Sequence, residues 1–429
     1  MARALAASRA RRPARARRPA RPSRRHFLMP ATTAPRLLDG EARGALQRAR
    51  SLAIEELIEI IERSGLRGRG GAGYPFAEKL RAVRRNAQGG DVYLVANGYD
   101  ADPGSPLART LLTRNGANVV HGISIAAHAI GATQVYLYLH PEAIEARAAA
   151  ERAIGEMAAE LGVPIEIALG PGGFMGGEES ALLAVLESRR AMARQRPPYP
   201  AAQGLRLRPT LVSSVETLAW LPLVVEEQAR ANTKLVSVTG AVTRPGVYEI
   251  VLGTQLGEIL SEAGGATGKL KGVHVGGPTG GILGTSRLDT RLDFDDLRVA
   301  GTHMGSAQVR AIAAGTCIVN EAATLFAYLA KENCAICVPC RVGTKRVTAI
   351  LESTYSGLGR DSDIAWLDEL GTHMERFSLC GFGITAPSIL RTTMREFPDD
   401  YRIHIQEKRC PEGACKPIRS RRYETMVQP

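Results

Sequence analysis

Aromatic residues are scarce in this chain, long apolar runs are missing, and the first 28 residues contain no acidic side chain. Aromatics make up 5% of the 429 residues and apolar content is an ordinary 45%, which argues for an α/β or helical soluble protein. No segment reaches the roughly eighteen apolar residues of a membrane-spanning helix, so direct membrane insertion is excluded. The missing acids explain the charge. Ten arginines of residues 1–28 account for most of the net +12, and the remainder is close to neutral. A nucleic-acid binder carries its positive charge on a folded surface, so that class is set aside for the body of the chain.

Residues 1–36 are an Ala/Arg/Pro segment that cannot bury enough apolar surface to fold. Within it SRRHFL at 23–28 matches a twin-arginine export signal in outline but lacks the apolar stretch that must follow. A disordered basic tail, or an upstream start with Met29 as the true beginning, is expected. The length predicts two to four domains. We place them at 37–232 (an α/β cofactor domain), 233–300 (a β-grasp unit), 301–400 (a helical domain) and 401–429 (a C-terminal tail).

Seven cysteines are few for a disulfide framework, and their grouping points to metal in a reducing cytoplasm. The run ENCAICVPCRVGT at 332–344 sets Cys334, Cys337 and Cys340 three residues apart, so their thiolates converge on one point. C-x2-C-x2-C is one thiolate short of the four that hold a [4Fe-4S] cluster, and Cys380 is the candidate for the fourth. A four-cysteine zinc site is the rival, although zinc ribbons pair two separate C-x2-C knuckles.

Two glycine-rich runs flank a set of alternating strands and helices. The first, GLRGRGGAGYP at 65–75, follows a helical stretch over 40–64 and lets backbone N–H groups approach an anion, with Lys79 on the next helix adding a cation. Strands are predicted at 91–96, 134–139 and 164–169, with helices at 119–130 and 144–161 between them, which implies a parallel sheet. After the first strand comes ANGYDADPGS at 96–105, and after the third GPGGFMGGEES at 170–180, leading into a helix over 181–187. Glycines and acids at the carboxyl ends of parallel strands mark the crevice where such sheets bind ligands. Asp102, Glu178 and Glu179 either orient a bound ligand there or simply cap helices. From residue 234 the pattern changes to a hairpin over 235–250, a helix over 255–263 and a strand over 272–275, and from about 319 to 397 the chain reads as helical.

In this order the segments resemble the flavin- and NADH-binding 51 kDa subunit of respiratory complex I and its relatives in NAD-linked formate dehydrogenases and electron-bifurcating hydrogenases. RPPYP at 196–200, PTLVSSVETL at 209–218, GAVTRPGVYEI at 240–250 and GGPTGG at 276–281 extend the match. The resemblance implies a Rossmann-like FMN domain, an SLBB β-grasp domain that acts as a packing spacer, and a helical [4Fe-4S] domain. It implies FMN on Gly68, Gly70, Lys79, Asn97, Asp100, Gly177, Glu178, Glu179, Ser213 and Ser214. It places NAD(P)H against Tyr74, Asp102, Phe174, Arg196 and Tyr199, with electrons passing to a thioredoxin-like [2Fe-2S] partner subunit and further redox subunits. Location is expected in the cytoplasm, peripheral to the membrane through those partners.

Some positions depart from the family pattern. Tyr99 replaces an acid, Asp100 and Asp102 shorten two others, and Ser213 and Ser214 replace two amides. Two readings therefore stay open: NAD(P)H oxidation through FMN, or a flavin-poor iron–sulfur relay. Three cysteines remain. Cys410 and Cys415 form a C-x4-C pair with His404 six residues upstream, and Cys317 supplies a fourth ligand for one structural Zn²⁺ or is a core residue.

Overall fold

The computed structural model describes residues 37–40, 44–227 and 229–415. The expected basic tail at 1–36 and the end of the C-terminal tail lie outside them. In place of one helix over 40–64 there are two, α1 (Ala45–Ser51) and α2 (Ile54–Arg63), separated by extended backbone at Leu52 and Ala53. The break lets Ala45, Leu46 and Ala49 on one helix, and Leu57, Ile58 and Ile61 on the other, all reach the core. α3 (Phe76–Asn86) follows the first glycine run, and β1 (Tyr93–Gly98) follows it. α4 (Leu107–Ile130) starts earlier than its apolar periodicity predicts and kinks at Asn115. β2 (Gln134–Leu139), α5 (Ile144–Glu156) and β3 (Ile165–Leu169) complete the expected alternation.

The second glycine run leads into α6 (Glu179–Leu186), and after a proline-rich segment comes the four-residue α7 (Pro200–Gln203). Thr210–Ser214, not among the predicted strands, forms β4, and the helix after it, α8 (Val215–Glu227), has 13 residues. β4 lies parallel to β1, giving the order β3-β2-β1-β4. β1 is thus central, and Asn97 at its end sits beside Ser214 at the end of β4.

The next unit contains β5 (Thr233–Gly240), β6 (Gly246–Val251), α9 (Leu256–Glu262), β7 (Leu270–Val275), β8 (Gly281–Gly284), α10 (Phe294–Val299) and β9 (Gln308–Ala313). Its sheet order is β6-β5-β9-β7-β8, so the central strand comes from beyond the boundary expected at residue 300. Helices follow: α11 (Ile318–Glu332), α12 (Val338–Ser353), α13 (Asp363–Phe377), α14 (Gly381–Thr385), α15 (Ser388–Glu396) and α16 (Pro398–Gln406). No helix among the described residues is long and apolar enough to cross a membrane.

One contact holds the back of the first sheet together. Helix α8 is buried from Val215 to Val225, and Pro222 within it has no N–H to donate to the Leu218 carbonyl four residues earlier. That carbonyl faces Gly122 of α4, where a Cβ would stand 2.0 Å from the oxygen. Asn118 of α4 donates to the next carbonyl, Ala219 O, at 2.7 Å. Helix propensity alone makes Gly122→Ala stabilising by about 1 kcal/mol, whereas this backbone contact makes it destabilising by about 1–3 kcal/mol. Urea unfolding of the two proteins decides the sign, and we expect the alanine variant to be the less stable.

Candidate functional site

Three segments far apart in sequence wall one cavity of about 470 Å³. The first wall is the glycine run, represented by Arg69, Gly70 and Gly71, together with Asn97, Asp100 and Ser214 at the carboxyl ends of β1 and β4. The second comes from the β-grasp unit: Gly276, Thr279, Phe294 and His303 to Ser306. The third is Gly381, Phe382 and Thr385 of α14, which begins directly after Cys380. The expected role of the β-grasp unit as a spacer misses this: its residues close the cavity.

The glycine run is held open by its own arginines. Arg69 is 3% exposed, and its guanidinium donates to Thr233 O (3.0 Å), Arg67 O (2.9 Å) and Ala231 O (2.7 Å). Arg67 donates to Gly73 O at 2.6 Å and stacks 4.6 Å over the Phe294 ring. Gly68 donates its N–H to Tyr74 O at 2.8 Å, closing the loop and leaving Tyr74 half exposed. At Gly70 the nearest atom to an added Cβ is the Ser214 Cβ at 3.8 Å, so open space lies over this backbone. At Gly71, with φ +108°, a Cβ would come 2.8 Å from Gly305 O, which ties this wall to the β-grasp wall. Lys79 does not line the cavity; it pairs with Glu179 at 2.6 Å.

Asn97 ties the end of β1 to the second glycine run, its Oδ1 accepting from Tyr99 N at 3.1 Å and its Nδ2 donating to Gly177 O at 3.1 Å. Tyr99 turns beneath the second glycine run: its hydroxyl donates to Gly173 O at 2.8 Å and its ring stacks on Tyr138 at 5.3 Å. A Cβ at Gly176 would meet the Tyr99 hydroxyl at 2.5 Å, so the tyrosine is packed where the family pattern has an acid.

The acids divide. Asp100 accepts from the backbone N–H groups of Ala108 (2.8 Å) and Arg109 (2.9 Å), capping the start of α4, and burial raises its pKa against these bonds. Asp102 is 5% exposed, accepts from Gly104 N at 2.8 Å and from the Ser306 hydroxyl of the β-grasp wall, and is likewise raised by burial. Glu178 caps α6 through Ser180 N (2.8 Å) and Ala181 N (2.9 Å) while its other oxygen pairs with Arg196. Burial works to raise the Glu179 carboxyl, but the Lys79 ammonium and Arg196 outweigh it and hold it below its ordinary range. The structure therefore joins Lys79, Glu178, Glu179 and Arg196 into one polar group, of which Glu178 reaches the cavity. Ser213 is buried, and the Ser214 hydroxyl lies 2.8 Å from that of Thr217. Phe174 lines the cavity with its ring edge-on to Tyr328 (6.4 Å) and Phe382 (5.5 Å), whereas Tyr199 is 60% exposed and outside it.

Sequence reasoning does not find Glu216 and Lys234. Both line the cavity floor, and both are buried; the ammonium donates to Glu216 Oε2 at 2.5 Å and Leu235 O at 2.8 Å. Burial lowers the lysine pKa and the carboxylate opposes that. A signal exists in the glutamate of the VET triplet at 215–217, but not in Lys234, which reads as the start of an ordinary strand.

The cysteines of the central run and Cys380 come together. Cys337 precedes α12, Cys340 lies in its first turn, and Cys380 precedes α14. Cys340 and Cys380 are buried, Cys334 and Cys337 half-buried. Burial pushes the Cys340 thiol up, and the neighbouring Cys337, Cys380 and Cys334 sulfurs push it further. Cys380 is pushed up to about 11, chiefly by burial, while the N–H groups of Phe382 and Gly383 point at its sulfur and oppose the shift. A Cβ on Gly383 would stand 2.9 Å from Cys340 Cβ, so glycine there lets the distal thiol reach the other three. Four convergent thiols with N–H donors to sulfur fit an iron–sulfur cluster. A cavity of about 470 Å³ with an open glycine backbone and few polar groups fits a flavin-sized cofactor.

Comparison with known proteins finds three family models along the chain. Residues 61–223 match the Nuo51 FMN-binding domain, 235–283 the SLBB domain and 320–404 the NADH-ubiquinone oxidoreductase-F iron–sulfur binding region. The second F-type NADH-quinone oxidoreductase subunit of Rhizobium meliloti is 33% identical over 83% of this chain and 90% of its own. The NADP-reducing hydrogenase subunit HndC of Solidesulfovibrio fructosivorans is 32% identical over 86% and 80% respectively. A crystal structure of the NAD⁺-reducing [NiFe]-hydrogenase in its air-oxidised state superposes with a TM-score of 0.80 at 32% identity. That match covers 86% of this chain and 66% of the hydrogenase chain.

Arg69 tests the reading of the glycine run. An arginine reserved for a phosphate leaves cofactor-free stability unchanged when replaced, whereas one that satisfies three carbonyls does not. Lysine cannot reach all three, so Arg69→Lys is expected to lower the unfolding free energy of flavin-free protein by about 2–4 kcal/mol in urea melts.

Proposed function

Because this chain belongs to the family of F-type NADH-quinone oxidoreductase subunits and their hydrogenase counterparts, we propose that its three-walled cavity is where a nicotinamide dinucleotide meets FMN. Cys334, Cys337, Cys340 and Cys380 would hold one [4Fe-4S] cluster, which when bound would supply a one-electron carrier. The observation that carries this reading is that the residues following Cys380 share a cavity with the glycine run and the ends of β1 and β4. Bound flavin supplies the conversion from a two-electron hydride donor to one-electron acceptors.

The protein's own groups position and exclude water. Gly70 and Gly71 allow the cofactor's phosphate to approach backbone, and Asn97 and Ser214 present polar atoms at the sheet edge. Gly177 and Glu178 face the dinucleotide from the opposite side, while Arg196, Lys79 and Glu179 form the polar rim beside them. Tyr74 and Tyr199 offer exposed rings for stacking. Gly68, Asp100, Asp102 and Ser213 act as positioning residues in this scheme, since their polar groups or burial tie them to backbone and neighbouring walls. Exposed Ile336, Val338, Val342, Phe377 and Ile384 lie around the cysteine run and α14, an apolar surface that suits docking of a [2Fe-2S] partner subunit. Any membrane association is made through such partners.

Tyr99 in an acid's place favours the second reading, a relay without its own NAD(P)H oxidation, because a carboxylate facing the cofactor is lost. Its packing beneath Gly176 leaves the cavity open, which supports the first.

One variant separates the two halves of the proposal. In flavin- and iron-loaded protein offered NADH and NADPH, ferricyanide reduction is expected both in the wild type and, within about twofold, in Cys380→Ser. The EPR signal of the reduced cluster is expected only in the wild type. Absence of ferricyanide reduction from flavin-loaded wild type leaves the relay reading, and an unchanged EPR signal in Cys380→Ser removes that cysteine from the cluster.

A further inference from the structure

We propose that Lys234 donates a hydrogen bond from the floor of the cavity to the ring of the bound flavin and thereby raises the flavin's reduction potential. The inference rests on the reading that this cavity holds FMN.

The place is an unusual one for a lysine. Lys234 is the second residue of β5, and Val236 and Val238, which share its face of the strand, are fully buried. Lys234 itself is 1% exposed, where an apolar side chain of similar length would avoid the desolvation of an ammonium. Two of its three N–H groups have partners, Glu216 Oε2 at 2.5 Å and Leu235 O at 2.8 Å. No acceptor among the described residues takes the third, and the side chain lines the cavity.

The acceptors that line the same cavity are already engaged. The second oxygen of Glu216 accepts from Leu235 N at 2.8 Å. Asp100 acts on the ammonium through its charge, but its oxygens accept from Ala108 N, Arg109 N and Arg109 Nε. Asn97 Oδ1 accepts from Tyr99 N, and the Ser214 hydroxyl is shared with Thr217. A buried donor of this kind is costly to leave unmade, so a ligand that brings an acceptor to it gains a charge-assisted bond. One N–H is too few for a phosphate, whose oxygens call for the several backbone donors of a glycine run. It suits a single oxygen or nitrogen of a heterocyclic ring. Two electrons and one proton leave the reduced flavin ring with one net negative charge, so the bond from an ammonium is stronger to the reduced than to the oxidised form. A pair that only braced β5 against α8 would, when lost, weaken both forms alike.

Redox titration of full-length, flavin-loaded protein against reference dyes tests this in wild type, Lys234→Met and Lys234→Met/Glu216→Gln, the last of which leaves no unpaired buried carboxylate. In both variants the affinity for reduced relative to oxidised FMN is expected to fall about tenfold or more, which lowers the two-electron midpoint potential by about 30 mV or more. A wild-type potential in a folded, flavin-loaded variant overturns the proposal alone. Wild-type protein that binds no FMN overturns the reading of the cavity, and the proposal with it. If neither variant folds, wild type labelled with ¹⁵N-lysine decides: the exchange-protected ammonium resonance is expected to move when bound FMN is reduced, and a resonance that stays in place overturns the proposal.

Discussion

A single carboxylate joins the cofactor cavity to the cluster region. Glu332, the last residue of α11, accepts a hydrogen bond from Phe174 N at 2.8 Å, in the middle of the second glycine run. It stands two residues before Cys334. Gly173, at φ +73°, makes room for it: a Cβ there would come 2.9 Å from Glu332 Oε2. With the loop held in this way, the Phe174 ring packs against Tyr328 of α11 and Phe382 of α14. The loop that ends β3 and the helices that carry the cysteines thus share one hydrophobic cluster. The geometry of the cavity depends on this junction, because its third wall belongs to the helices.

Beneath the cavity the protein keeps charge it does not expose. Arg69 and Lys234 are both buried, one satisfied by three carbonyls and the other by Glu216 and a carbonyl. Buried ion pairs are weak evidence for stability, since the desolvation of both partners offsets most of their attraction. Their effect here is positional: Arg69 ties the first glycine run to the start of β5, and Lys234 ties β5 to α8 through Glu216. Neither side chain is free to hold a cofactor's phosphate by itself.

Local patterns are readable in the sequence wherever chemistry and backbone coincide. Strands β1, β2 and β3 follow from their apolar runs and glycine-rich ends, and the x2-x2 spacing of Cys334, Cys337 and Cys340 needs no fold to identify it. β4 escapes because TLVSS is five residues with no strict alternation, too short for periodicity to separate strand from helix lead-in. β8, with four residues, and β9, with six, take their identity from pairing with β7 and β5. The site shows the same division. The grouping of Cys317, His404, Cys410 and Cys415 follows from spacing and a leftover cysteine, and the structure brings those four residues together. The positions of Asp100 and Lys79 are not readable: a carboxylate that caps α4 and a lysine paired with Glu179 look, in sequence, the same as groups aimed at a cofactor. The β-grasp wall is also hidden, because Gly305 and Ser306 meet Gly71 and Asp102 only through contacts some 200 residues distant in sequence.

Glu332 offers the most direct measurement of whether cavity and cluster function as one unit. Stopped-flow mixing of NADH with flavin- and cluster-loaded protein follows flavin bleaching and cluster reduction in the same sample. In Glu332→Ala, with the loop released from α11, cluster reduction is expected to slow by about tenfold or more relative to wild type, the cost of losing a part-buried charge-assisted hydrogen bond of about 1.5–3 kcal/mol at the junction. Cluster reduction at the wild-type rate in a variant that retains its flavin and iron contradicts the coupling of the two sites through this residue.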